Sequence, residues 1–286
     1  MPRLLVNDVY LYYEEFGDGF PLVLLHPWPT DHAMWMYQIP ILSEDYRVIA
    51  PDSRGLGRSE KPKKGYRLRD LTEDLKGLLD QLGVDKAFIV GSSLGANVSQ
   101  RFTIDHPERV QATVWIGGAR LPMDQMLFEG SHEAGREIGE RSFTEVYLEA
   151  LRNGGYTKFW ETIWKPTMHF QFHESFSKSD IGSYLIKYLF EERYARLNQD
   201  ATGVIGLLEA FRQEESLDED LAHVKVSSSM VVGEDDDSRQ YCEEQYRTMP
   251  NVSFHLIKNG GHFCYMDQPE TFNQYLASFL RANNPE

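Results

Sequence analysis

Basic charge, cysteine and long apolar runs are all scarce in this chain, and each shortage excludes a class of function. Against 44 Asp and Glu stand 29 Lys and Arg, a net charge of −15 over 286 residues. Phosphate backbones are bound by basic faces, so nucleic acid is not an expected partner. Two cysteines, Cys242 and Cys264, are too few for a disulfide framework or a thiolate zinc site. The expected compartment is therefore reducing, of the cytoplasmic type. Apolar stretches such as Leu22-Val23-Leu24-Leu25 are strand-sized, and residues 1–8 turn polar before a signal-peptide core accumulates, so neither membrane nor secretion is expected. No G-x-G-x-x-G or G-x-x-x-x-G-K phosphate loop follows the first apolar run, which argues against a nucleotide cofactor.

What the chain does contain is an alternation of short apolar runs with amphipathic stretches, the pattern of a parallel βαβ sheet. Buried strands are expected over 22–25, 46–50, 87–90, 112–116, 230–232 and 252–256, with two antiparallel edge strands within 4–16 turned at Asn7-Asp8. Helices are expected over 71–82, 94–105, 239–248 and 269–283. From 121 to 215 the pattern becomes wholly helical and rich in aromatic and charged residues, with helix-spaced apolar positions over 143–151, 158–164 and 181–190. A helical block between two strands of one sheet reads as a cap inserted over the carboxyl edge, where open α/β sheets bind ligands. The expected division is a core of 1–120 and 216–286 and a cap of 121–215.

Gly91-Ser92-Ser93-Leu94-Gly95 follows an expected strand and opens an expected helix, which is the context the G-x-S-x-G motif needs. A sharp strand-to-helix turn crowds the residues two positions from its apex, and glycine there removes the offending side chains. The Ser93 hydroxyl is left exposed, with free N–H groups of the helix start beneath it. His262 follows Gly260-Gly261 after the last expected strand, and a serine hydroxyl needs such a base nearby.

With His26-Pro27-Trp28-Pro29, Pro51-Asp52-Ser53-Arg54-Gly55-Leu56-Gly57-Arg58-Ser59, the elbow, and Gly260-Gly261-His262-Phe263 followed by Gln268-Pro269-Glu270, the chain resembles the α/β-hydrolase family over residues 9–282. The resemblance implies an α/β-hydrolase fold: a mostly parallel eight-stranded sheet flanked by helices, with an inserted helical cap. It also implies a triad in the chain order Ser, Asp, His. The acid commonly stands three residues after the glycine of Gly233-Glu234-Asp235-Asp236-Asp237, which selects Asp236. The oxyanion hole would use the backbone N–H groups of Leu94 and Trp28. Pro27 departs from the family pattern by standing at the usual glycine, and it has no N–H of its own. Asp52, Arg54, Gly55 and Gly57 match a segment that shapes a loop beside the site.

His26, Trp160 and Trp164 are expected at the substrate pocket, the tryptophans within an aromatic group that would line the pocket or pack the cap. His169 and His173 have the i, i+4 spacing of a metal pair but no third ligand, so no metal is expected. The function expected is cofactor-independent hydrolysis of a small-molecule carboxylic ester or lactone through an acyl-enzyme. Relatives that open epoxides or remove halides use an aspartate at the elbow, and this chain has Ser93. A carbon–carbon bond hydrolase of a vinylogous diketone and a slow-turnover ligand receptor stand as alternatives, since both can share the triad and the fold.

Overall fold

The computed structural model describes residues 3–118 and 142–285. One sheet has the strand order β1-β2-β4-β3-β5-β6-β7-β8. Its strands are β1 (Arg3–Val6), β2 (Val9–Phe16), β3 (Phe20–Leu25), β4 (Tyr46–Pro51), β5 (Ala87–Ser92), β6 (Val110–Ile116), β7 (Ser228–Gly233) and β8 (Val252–Ile257). The strands from β3 to β8 run parallel, while β1 and β2 form the antiparallel edge. Strands buried on both faces need continuous apolar sequence instead of alternation, and every residue of β5 and β7 is buried.

The helices over the sheet follow from their stripes. In α1 (Leu68–Gln81), Leu68, Leu71, Leu75, Leu78 and Leu79 are buried, and Arg67 N–H donates to Asp70 Oδ2 at 2.9 Å to fix the first turn. Each such fully buried leucine contributes about 2 kcal/mol. Helix α2 (Leu94–Asp105) is buried almost all round. Between β6 and β7 every described element is helical. These are α3 (Phe143–Phe159), a π-helical turn at Trp160–Trp164, short helices through Asp180–Ile186, a second π-helical turn at Lys187–Arg193, the short helix Tyr194–Leu197, α4 (Thr202–Arg212) and the short helix Asp218–Leu221. The expected helical stretch 121–141 lies outside the described residues. Helix α5 (Arg239–Arg247), the short helix Cys264–Asp267 and helix α6 (Pro269–Ala282) complete the helices of the core.

Topology sets the position of the site. From β3 the chain moves outward to β4, then returns across β3 to β5 and onward to β6. The connections after β3 and β5 therefore leave in opposite directions, opening a crevice at the carboxyl ends of these two strands.

Candidate active site

Ser93 stands at that crevice, between β5 and α2, with φ 52° and ψ −115°. This backbone is strained for a side-chain-bearing residue, and such strain concentrates at functional turns. Ser93 N–H donates to Ile116 O at 2.8 Å, tying the elbow to the end of β6. Gly95 allows α2 to start so close to β3, because a Cβ there would lie 2.2 Å from Leu25 O. The helix N-terminus is thereby pressed against the loop that follows β3.

Asp236 and His262, the acid and base expected from the sequence, follow β7 and β8. Gly233, at the end of β7, meets the backbone of the next loop, and a Cβ on it would lie 2.2 Å from Gly261 O. Of Glu234, Asp235, Asp236 and Asp237, only Asp236 is buried. Its carboxylate oxygens each lie 3.0 Å from His262 Nδ1, and Oδ1 also accepts from Ser238 N–H at 2.7 Å. Burial alone would raise the Asp236 carboxyl, but the imidazole and the Ser238 N–H outweigh it and hold the pKa below the ordinary aspartate value. For His262, burial acts downward and the Asp236 charge and hydrogen bond act upward more strongly, so its pKa is raised. With Nδ1 facing a carboxylate, Nε2 is the nitrogen left for proton transfer.

Gly117 measures how near these groups are to the elbow. It follows Ile116, the acceptor of the Ser93 N–H, and a Cβ on it would lie 2.8 Å from His262 Cε1 and 3.1 Å from Asp236 Oδ2. Among the described residues no hydrogen bond joins the Ser93 hydroxyl to His262, a separation common in hydrolases without substrate.

The loop after β3 is a tight turn. Pro27 O accepts from Thr30 N–H at 3.1 Å, from the Thr30 hydroxyl at 2.6 Å and from His26 Nδ1 at 2.9 Å, and the Trp28–Pro29 bond is cis. The ring of His26, a residue expected at the pocket, sits between the Pro27 turn and Ser53. The ring is fully buried, Nε2 accepts from Ser53 N–H at 2.9 Å, and Nδ1 must then carry the proton donated to Pro27 O. Burial lowers its pKa, which suits a neutral ring pinning two loops together. The Trp28 indole leans away from the turn toward the insertion, donating from Nε1 to Val204 O at 3.1 Å. Leu94 begins α2, so its N–H has no partner within the helix. Among the described residues neither Trp28 N–H nor Leu94 N–H is hydrogen-bonded to the protein.

Trp160 and Trp164 are almost wholly covered. Trp160 stacks on Phe190 at 5.6 Å, and Trp164 meets Trp28 edge-on at 6.0 Å. Both lie in the aromatic packing of the insertion against the core. The His169 side chain lies outside the described set, and His173 Nδ1 accepts from Ser175 N–H.

Three polar residues beside the site carried no motif. Asp31 is fully buried and takes Nε and Nη2 of Arg193 on one oxygen, at 2.9 and 2.6 Å. Its neighbour His32 bonds Asp52 Oδ1 at 2.7 Å. Burial acts to lower the His32 pKa, but Asp52 overrides it and the pKa is raised. Asp31, His32 and Asp52 bring ligand atoms within 4.8 Å of one another, yet Arg193, Ala33 N–H and Arg58 N–H already occupy the carboxylates. The third residue, Asp267, accepts two backbone N–H groups beside His262. Its only sequence signal was its place before Gln268-Pro269.

Comparison with known proteins agrees with this architecture. The alpha/beta hydrolase fold family matches residues 21–269. A soluble epoxide hydrolase of Corynebacterium is 41% identical over 109 residues, 38% of each chain. A 2-hydroxymuconate semialdehyde hydrolase of Pseudomonas is 41% identical over 107 residues, 36% of this chain and 38% of that protein. These alignments thus span well under half the length of the curated relatives. A thermophilic esterase from Thermogutta terrifontis superposes with a TM-score of 0.82 over 99% of both chains at 23% identity, a likeness of fold. With the family matched across most of its length, the chain belongs to the α/β-hydrolase fold family.

Proposed function

We propose that the protein is a serine hydrolase that cleaves carboxylic esters or lactones through an acyl-enzyme, with the triad Ser93, Asp236 and His262. One observation carries this reading: a serine at a strained elbow shares a sheet edge with a buried carboxylate–imidazole pair. His262 Nε2 removes the Ser93 proton as Oγ attacks the acyl carbon. The N–H groups of Trp28 and Leu94 take the oxyanion, each supplying about 3 kcal/mol of transition-state stabilisation. His262 then protonates the leaving alkoxide and activates water for deacylation. The helices between β6 and β7 serve as the cap, and the division into a 1–120 and 216–286 core with a 121–215 cap belongs to the same reading. The contacts of Trp28 with Val204 and of Asp31 with Arg193 support a cap seated on the oxyanion loop.

Serine at position 93 favours acyl transfer over epoxide opening, for which the family uses aspartate at the elbow. The Pseudomonas alignment keeps carbon–carbon hydrolysis as a second reading. The test is hydrolysis of p-nitrophenyl esters of increasing acyl length by the protein and by Ser93→Ala. A loss of more than about 10³-fold in the variant is expected. Equal turnover by both would sink the assignment of Ser93. No turnover at any length would favour the second reading, measured by the loss of absorbance of vinylogous 1,5-diketones.

A further inference from the structure

We infer that Asp267 is a positioning residue, strapping the loop that carries His262 to the helical insertion so that the insertion helps aim the catalytic base. The inference rests on the triad reading above. Asp267 Oδ2 accepts two backbone N–H groups at 2.8 Å: that of Gly261, which immediately precedes His262, and that of His173, which belongs to the insertion. On the other side of His262, Phe263 N–H donates to Gln171 O at 2.9 Å. Both neighbours of His262 are thus tied to residues 171–173, one directly and one through a carboxylate. The Phe172 ring meets Phe263 edge-on at 5.4 Å, and His173 Nε2 lies 3.5 Å from Asp235 Oδ2, beside the acid. A single short segment of the insertion therefore touches the loops bearing the base and the acid.

The physical case is one of satisfaction and precision. A loop holds one conformation only where its backbone groups have partners, and here the partners come from outside the sheet. A carboxylate that is 7% exposed is expensive to bury, and the two N–H groups are what offset that cost. Proton transfer tolerates little displacement, and an error of about 1 Å costs about 100-fold in rate. Freeing Gly261 from Asp267 loosens the backbone next to His262 without touching the imidazole or Asp236.

Four variants test the strap. Asp267→Asn keeps a side-chain oxygen for both N–H groups, and Asp267→Ala keeps none. His173 has φ −57°, and Phe172 before it has φ −135° and ψ 139°, a backbone that proline adopts, and proline at 173 puts a ring carbon where the N–H faces Asp267, so the strap to the carboxylate is broken. His173→Ala controls for the lost imidazole. The readouts are kcat and KM on p-nitrophenyl acetate, and the low-field imidazole N–H proton signal of the His262–Asp236 pair, which needs no turnover.

Asp267→Ala and His173→Pro are expected to lose at least about tenfold in kcat with KM nearly unchanged, and to lose or broaden that signal. Asp267→Asn and His173→Ala are expected to stay near the parent protein in both. The inference is overturned if His173→Pro matches His173→Ala, or if Asp267→Asn falls as far as Asp267→Ala. Should Asp267→Ala fail to fold, the two His173 variants carry the comparison. Should the protein turn over no ester, the proton signal still reports whether the strap aims His262, separating this failure from that of the triad reading.

Discussion

Arg193 and Asp31 form an ion pair in which two guanidinium nitrogens share one carboxylate oxygen, the carboxylate wholly buried and the guanidinium nearly so, 162 residues apart in sequence. Asp31 also accepts Ala33 N–H at 2.9 Å, fixing the turn that follows the Trp28 loop. The pair thus links a π-helical turn of the insertion to the loop beside the elbow. Removing one partner of a buried pair leaves the other uncompensated, which costs about 3–5 kcal/mol. Arg193→Met should lower the unfolding free energy by that order, measured by urea denaturation. A loss below about 1 kcal/mol would mean that water reaches Asp31 and that the insertion is not held there.

On the proposed triad, the acidic side of the pH–rate profile belongs to His262. A base works only when neutral, so kcat/KM should fall as pH drops through the His262 pKa of the free enzyme. Burial acts to lower that pKa, and Asp236 more than offsets it. The midpoint of the acidic limb is therefore expected above 6.5. Asp236→Asn removes the raising charge, so its limb should move to lower pH while kcat falls by about 10⁴-fold, as in other triads. A parent midpoint below 6.5, or an unmoved limb in the variant, would detach Asp236 from His262.

How much of this was legible in the sequence varies with the range of the interaction. The strands were readable because burial on both faces demands continuous apolar runs, and β5 and β7 supply them. Helix α2 began and ended as its pattern implied, at Leu94 and Asp105. Ser93 and His262 stood out because their glycines serve local backbone geometry, which leaves a local signature. His26 shows the limit. The motif located its loop, but the direction of the ring depends on Ser53 N–H, 27 residues away. Arg193 and Asp267 were invisible for the same reason. An arginine on a helix reads as a solvated charge until a π-helical turn rotates it toward Asp31, and an Asp before Gln-Pro reads as a surface acid until the insertion folds over it.

Asp267 also makes a prediction about stability. Burial raises its carboxyl to about 6, and the N–H groups of His173 and Gly261 offset that rise only in part. In the unfolded chain the same group titrates near 3.9. A folded pKa above the unfolded one means that the folded protein binds the proton more tightly. The resulting stabilisation is fully present below about pH 4 and is lost as pH rises through about 6. Asp267→Asn lacks this dependence while keeping the shape of the side chain. Between pH 8 and pH 4.5 the stability of the parent protein relative to Asp267→Asn should therefore improve by about 2 kcal/mol, because the parent no longer carries a buried charge at the lower pH. Urea unfolding of both proteins at the two pH values measures this directly. A difference between them that does not change with pH would mean that Asp267 titrates alike in the folded and unfolded chains, and that its two N–H partners cancel the whole penalty of burying it.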